Sequence, residues 1–267
     1  MQLFYKGQAY QGRRDVIDPA EQGLMGLSTL KLASGEIYEG QSGAYEIGLV
    51  ILSGSADVAV DGQTFAGLGK RANVFAGPAA TVYISRDSSY RVQGQSADFE
   101  AALCLVKADK KFAPFVVRPE EVDINHRGGQ SWKRDVHDII VDDGEGKVDK
   151  IVLGETYGAP GNWSSFPSHK HDRYIPGVET ELTEIYYFRV KPENGFGVQI
   201  LYTEDRELDE AFVIRDDDSV LIPKGYHPVV TPPSVQVYYL WFLAGNKGRK
   251  MQPNDDPQYK GLHALVK

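Results

Sequence analysis

His169 and His171 stand one residue apart in Asn162–Asp172, NWSSFPSHKHD, and account for two of the chain's six histidines. On a strand or its edge, side chains alternate, so the two imidazoles share one face and Lys170 takes the other. Two imidazoles on one face can chelate a single ion, and histidine is the commonest metal ligand. The spacing alone is weak evidence, because H-x-H also arises by chance on polar loops. Two further features strengthen it. Glu184 heads the otherwise apolar and aromatic run EIYYFRV. A carboxylate at the start of a buried strand costs free energy unless it is paired, protonated or bound to a cation. Glu179 and Glu181 are alternative ligands close by. In IPKGYHP, Pro223 and Gly225 shape a turn that carries His227 onto the next strand. Three imidazoles and one carboxylate form a mixed nitrogen–oxygen set suited to Zn, Mn, Fe or Ni. Four protein ligands close a tetrahedral site, so a catalytic ion would need five or six ligands, or the loss of one, to admit substrate.

The other polar features carry less. His126, His137 and His263 are expected at surface or structural positions. Asp216–Asp218 is expected to be a solvated turn, since calcium needs more oxygen ligands at set spacing. No glycine-rich phosphate loop and no G-x-S-x-G elbow occur. The single cysteine, Cys104, lies in the apolar run FEAALCLVK, which excludes an internal disulfide and a cysteine metal site and suggests a small buried hydrophobe.

The elements that must hold these residues read as strands. EIGLVILSG, ADVAVDG, ATVYISRD, TEIYYFRV, FGVQILYTE and VQVYYLWFLAG alternate or are β-branched, and Gly, Pro, Asp or Asn separates most of them. Fifteen tyrosines and eleven phenylalanines against three methionines fit a β-rich interior, and the spacing leaves little room for βαβ crossovers. The two halves look like degenerate copies. EIGLVILSGSADVAVDG precedes a Gly-Pro turn in the first, and EIYYFRVKPENGFGVQILYTE precedes IPKGYHPVV in the second, so each reads as a Glu-led strand, a hairpin and a later turn. The expected division is 1–120 and 121–267, with the polar segment RPEEVDINHRGGQSWKRD at the join. A net charge of −8 without a basic face argues against nucleic acid. No stretch is apolar and long enough to span a bilayer, and no secretory leader is visible, so a cytoplasmic protein without a membrane partner is expected.

Gly161, His169, His171, Glu184, Pro223, Gly225 and His227, in that order, resemble the signature of the cupin superfamily, although the gap between His171 and Glu184 is longer than in typical cupins. GNWSSFPSHKHD, EIYYFRV, GFGVQILYTED, IPKGYHPVV and YYLWFLAG together resemble the 5-deoxyglucuronate isomerase family of myo-inositol breakdown, related to the pectin-pathway uronate ketol-isomerases. The resemblance is dense in the C-terminal half and weaker in the N-terminal half. It implies an all-β bicupin fold of two antiparallel β-sandwich or barrel domains, jelly-roll-like. It implies an aldose–ketose isomerase that converts 5-deoxy-D-glucuronate to 5-dehydro-2-deoxy-D-gluconate through an enediol. The implied cofactor is a divalent metal ion, Zn or Mn, on His169, His171, Glu184 and His227. The implied partner is a small-molecule sugar acid, and a homo-oligomer is left open. The first half offers Glu46 and the Gly77–Pro78 turn but no H-x-H, so that half is expected to be metal-free. For catalysis, Tyr186 shares strand parity with Glu184, and Gln199 on the next strand could hold a sugar hydroxyl. Arg127, Arg134 and Arg173 are unranked partners for a substrate carboxylate. Trp241 departs from the family wording, where a smaller polar residue is expected. Three rivals remain: a cupin oxygenase on the same ligands with Fe or Cu, a pectin-pathway uronate isomerase of the same fold and reaction type, and a non-catalytic sugar-binding or storage cupin, which would not need all four ligands intact.

Overall fold

The structure, a computed structural model, describes residues 1–265. Its strands sort by their burial. Tyr45–Ser53 is apolar at almost every position and buried on both faces, as befits a central strand. It pairs antiparallel with Phe99–Lys107 and with Thr81–Ile84 inside a six-stranded sheet. Ser55–Val60 alternates buried and half-buried positions and lies in a four-stranded sheet with one face outward. Leu49, Ile51, Val58, Val82, Val92 and Leu103 fill the space between these sheets, each contributing on the order of 1.5–3 kcal/mol of burial.

The C-terminal unit repeats the plan. Thr183–Lys191 pairs antiparallel with Gln236–Ala244 and with Ser219–Ile222 in a seven-stranded sheet that continues through Val152–Gly158 and Arg134–Ile140. The facing four-stranded sheet runs Trp163–Ser164, Val229–Val230, Gly197–Tyr202, Asp209–Ile214, matching the order Ile37–Gln41, Ser89–Gly94, Ser55–Val60, Gln63–Gly69 in the first unit. The degenerate repeat is therefore a repeat of topology, and the architecture is the expected all-β bicupin.

Three details differ from the sequence expectations. First, the consecutive strands Thr183–Lys191 and Gly197–Tyr202 are not a hairpin; they belong to opposite sheets, as do Tyr45–Ser53 and Ser55–Val60. Alternation and a turn signal look the same whether the chain pairs back or crosses the barrel. Second, Met1–Gln8 packs with the C-terminal unit and Ile139–Leu153 with the N-terminal one, so two segments cross a simple cut at 120/121. Third, Asp216–Asp218 is not a solvated run. Asp216 accepts from the backbone N–H of Val190 and from Arg189, and Asp218, 5% exposed, accepts from the N–H groups of Gly7 and Arg215.

Glu46 and Glu184 are both second in their strands, but they face opposite ways. Ile47, Leu49 and Ile51 point into the N-terminal barrel, so Glu46 points out of it, and a one-residue offset is enough for that in a period-two element. The fully buried Glu46 carboxylate accepts from the N–H groups of Asp149, Lys150 and Ile151 at 2.7–2.9 Å and from the Tyr83 hydroxyl at 2.8 Å. It anchors a loop. Glu46→Ala strands these donors and should cost the N-terminal unit about 3 kcal/mol in urea unfolding, with the metal content of the protein unchanged.

Candidate metal centre

His169–Lys170 forms a short strand against Asn254–Asp255, with His169 opposite Asp255. Alternation holds: His169 and His171 turn toward the barrel interior and Lys170 turns away. Glu184 and Tyr186 reach the same interior from Thr183–Lys191, and Tyr239 and Trp241 from Gln236–Ala244. His227 arrives from the Pro-Gly turn. Gly225 has φ +93°, and a Cβ there would lie 2.6 Å from the Tyr202 carbonyl, so the turn needs glycine.

One ligand atom from each of His171, Glu184 and His227 lies within 4.8 Å of the others, and all three residues are buried. Glu184 Oε2 is 3.1 Å from His171 Nε2 and 3.3 Å from His227 Nε2. His169 joins the group edge-on, its ring 4.9 Å from that of His227. Each Nδ1 faces a backbone carbonyl: His169 that of Pro167 at 3.1 Å, His171 that of Leu182 at 2.8 Å, His227 that of Gly225 at 2.9 Å. A carbonyl only accepts, so each Nδ1 carries the proton and donates it. In the neutral rings the Nε2 lone pairs are then left for the interior, the tautomer that metal-ligating histidines take.

Electrostatics keeps two of the rings neutral. Burial, and then the neighbouring His171, pushes His169 down to about 3. Burial also drives His227 down to about 3, against the pull of Glu184. For His171 burial opposes the charged form, but the Glu184 hydrogen bond and charge outweigh it and raise the pKa. His227 Nε2 is buried beside a carboxylate oxygen and has no hydrogen-bond partner among the described residues. Two acceptors held at that separation call for a cation between them, and the donor set fits a divalent ion.

The other candidates divide. Tyr186 lines the cavity, and its hydroxyl and that of Tyr239 both meet Ser165 Oγ, at 2.9 and 3.3 Å. Ser165 holds a left-handed φ of +48°. Burial first, then the Glu184 charge, raises the Tyr186 pKa well above its ordinary value, so the hydroxyl keeps its proton. Gln199 does not line this cavity. Its amide donates to the carbonyls of Ile200, His227 and Pro228, which brace the turn carrying His227. Trp241 does line it, with Nε1 donating to Thr156 Oγ1 at 2.9 Å, and it packs on Gly154, where a Cβ would come within 2.2 Å of the indole. Arg127 and Arg134 border the cavity, whereas Arg173 is exposed and paired with Glu204. Glu181 is exposed, and Glu179 is taken by Lys170. His126 and His263 are exposed against Asp135 and Asp255, and His137 is buried against the Tyr157 ring. Cys104 is fully buried, and burial raises its thiol pKa well above the ordinary value.

Sequence reasoning missed the buried ion network behind the candidate ligands. Lys170, 2% exposed, donates to Asp172 Oδ1 at 2.7 Å and to both Glu179 oxygens at 3.0 Å. Glu179 also accepts from the N–H groups of Asp172 and Arg173 and from Asn254, while Asp172 Oδ2 accepts from Gly225 N–H. One network thus joins the H-x-H strand, the turn delivering His227 and the C-terminal strand. The signal was a lysine between the two candidate ligand histidines with carboxylates at 172 and 179.

The cavity at this centre measures about 60 Å³, and the exposed Arg127 is among the residues that line it. A larger open groove of about 570 Å³ in the N-terminal unit brings together Tyr38, Asp61, Ser89 and Arg91. Its Asp61 is already engaged by Ser89 N–H and Lys111, and no histidine lines it. Convergent chemistry lies at the smaller cavity.

The profile of the KduI/IolB family matches residues 4–262. The chain belongs to the KduI/IolB family. A Bacillus subtilis (strain 168) relative, 5-deoxy-glucuronate isomerase, is 37% identical over 234 residues, covering 87% of this chain and 85% of the relative. The crystal structure of an IolB-like protein from Salmonella typhimurium superposes with a TM-score of 0.91 at 32% identity, covering 98% of this chain and all of that one. Lactobacillus farciminis oxalate decarboxylase superposes at 0.66 with 11% identity, covering 96% and 88% of the two chains, and shares the fold. Among the described residues of this KduI/IolB chain, no helix is long and apolar enough to cross a membrane.

Proposed function

We propose that this KduI/IolB protein is an aldose–ketose isomerase that converts 5-deoxy-D-glucuronate to 5-dehydro-2-deoxy-D-gluconate and depends on a divalent ion held by His169, His171, Glu184 and His227. The observation that carries the metal dependence is the buried cluster of His171, Glu184 and His227, with the His169 ring against that of His227 and the Nδ1–H of each histidine bonded to a backbone carbonyl. When bound, the ion supplies Lewis-acid polarisation of the substrate carbonyl and its neighbouring hydroxyl. Zn and Mn both suit the donors.

The reaction moves one proton from the hydroxyl-bearing carbon to the adjacent carbonyl carbon, while the hydroxyl proton shifts to the former carbonyl oxygen. Tyr186 keeps its proton and is placed to donate a hydrogen bond to a substrate oxygen. Ser165 connects it to Tyr239, so the hydroxyls can pass a proton along without any becoming charged. Trp241 and Thr156 close the wall and exclude water. Tyr186→Phe should lower kcat about 10²-fold with the metal content unchanged; unaltered turnover would remove Tyr186 from the chemistry.

The test of the whole reading is NMR product analysis after incubation of metal-loaded protein with 5-deoxyglucuronate in deuterated water. The expected result is the ketose product, deuterium at the carbon that receives the proton, and loss of turnover on chelation. Oxygen uptake would instead indicate an oxygenase. Preference for a pectin-pathway uronate would move the substrate, and no turnover of any uronate would leave a binding protein.

A further inference from the structure

Arg134 begins the strand Arg134–Ile140 and borders the metal cavity. Its Nη1 donates to the carbonyl of Phe166 at 2.8 Å and to that of Trp132 at 3.3 Å, which orients the guanidinium. Its remaining N–H groups make no hydrogen bond and no carboxylate pairs with it among the described residues. Besides its burial, the groups that act on it are the Tyr239 phenol, Arg127, of like sign, and the Tyr186 phenol, with no carboxylate among them. Burial lowers its pKa from the ordinary value, so water does not fully solvate the charge. Arg134 is half-buried, so its charge bears part of the cost of leaving water without a counter-ion, which an anionic ligand would offset. The other arginines are less suited. Arg173 is engaged by Glu204 on the surface, and Arg127 is half exposed with Asp138 Oδ2 at 3.9 Å.

Both Arg134 and Arg127 act electrostatically on the His169 ring, so this positive corner adjoins the metal ligands. We infer that Arg134 is the specificity-determining residue that grips the substrate's carboxylate with its free N–H groups, while the carbonyl end of the same molecule lies at the His169–His171–Glu184–His227 centre. This rests on the isomerase reading. Planar two-point binding of a carboxylate is what guanidinium geometry provides. It also keeps the carboxylate, itself a good metal ligand, away from the ion.

The test is calorimetric binding to metal-loaded protein of two compounds that cannot isomerise: the borohydride-reduced substrate, an acid whose aldehyde has become a hydroxymethyl group, and the neutral alditol with hydroxymethyl in place of the carboxylate as well. The unaltered protein should bind the acid about 100-fold more tightly than the alditol. Arg134→Met should abolish that preference, weakening the acid about 100-fold and the alditol less than about 3-fold. Arg134→Lys, which keeps the charge but not the fork, should fall between them and covers the case in which the methionine variant fails to fold. Metal content and thermal unfolding establish that each variant is intact. Equal losses for both compounds would make Arg134 a structural residue and overturn the inference. So would an acid affinity indifferent to either substitution, or an unaltered protein with no preference for the acid. If the acid binds through Arg134 but 5-deoxyglucuronate is never turned over, the isomerase reading fails and the anion subsite stands.

Discussion

His227→Ala should reduce bound metal from about one ion per chain to below about a tenth, and kcat/KM by about 10³-fold or more. The imidazole is fully buried, its Nδ1 proton is fixed on the Gly225 carbonyl, and its Nε2 lies 3.3 Å from Glu184 with no hydrogen-bond partner among the described residues. Removing it takes away one of the four proposed ligands, and His169 and His171 are each tied to their own carbonyl. A metal that contributes several kcal/mol of transition-state stabilisation is worth about three powers of ten at 1.36 kcal/mol each. Substitution of the exposed His126 is the control and should change neither quantity. Elemental analysis after dialysis against chelator, paired with turnover, measures both. A folded His227→Ala protein that keeps its metal and its rate would refute the four-ligand site.

Lys170→Met should destabilise the C-terminal unit by about 3–5 kcal/mol, lowering its unfolding midpoint by about 10 °C or more, without touching a ligand atom. The substitution keeps the aliphatic length but leaves Glu179, 1% exposed, and Asp172 without their shared cation. Glu179 retains three donors and Asp172 one, which limits the loss but does not neutralise two close carboxylates. Because the same groups hold the His169 strand to the Gly225 turn, metal affinity should also weaken about 10- to 100-fold. Adding Glu179→Gln removes one stranded charge and should recover a good part of the stability, and that coupling distinguishes the ion network from simple loss of packing. Calorimetric unfolding of the single and double variants measures it. A single variant as stable as the parent would mean that the network contributes nothing net.

The converging residues could be read in advance because the rules that place them are local. Alternation sends His169 and His171 to one face whatever the strand pairs with, a Pro-x-Gly turn has one sense of direction, and an acid heading an apolar strand must be satisfied somewhere. The repeat showed for the same reason: each half carries the same run of short apolar segments and turns. Gln199 shows the limit. Its strand was foreseen, but as the hairpin partner of Thr183–Lys191; it joins the opposite sheet instead, and there its amide meets backbone carbonyls.

His169, His171, Glu184 and His227 could be named, and the division into two β units suggested, from neighbours a few residues apart, where strand and turn geometry apply. Folding in three dimensions supplied the rest: that Glu46 faces out and caps a loop at 149–151, that Lys170 is buried between Asp172 and Glu179, and that Arg134 rather than Arg173 borders the cavity, with no carboxylate paired to it among the described residues. Each of these turns on register or on partners brought together by the packing of separate strands and loops. A one-residue shift or a different sheet partner reverses the outcome while leaving composition and spacing the same.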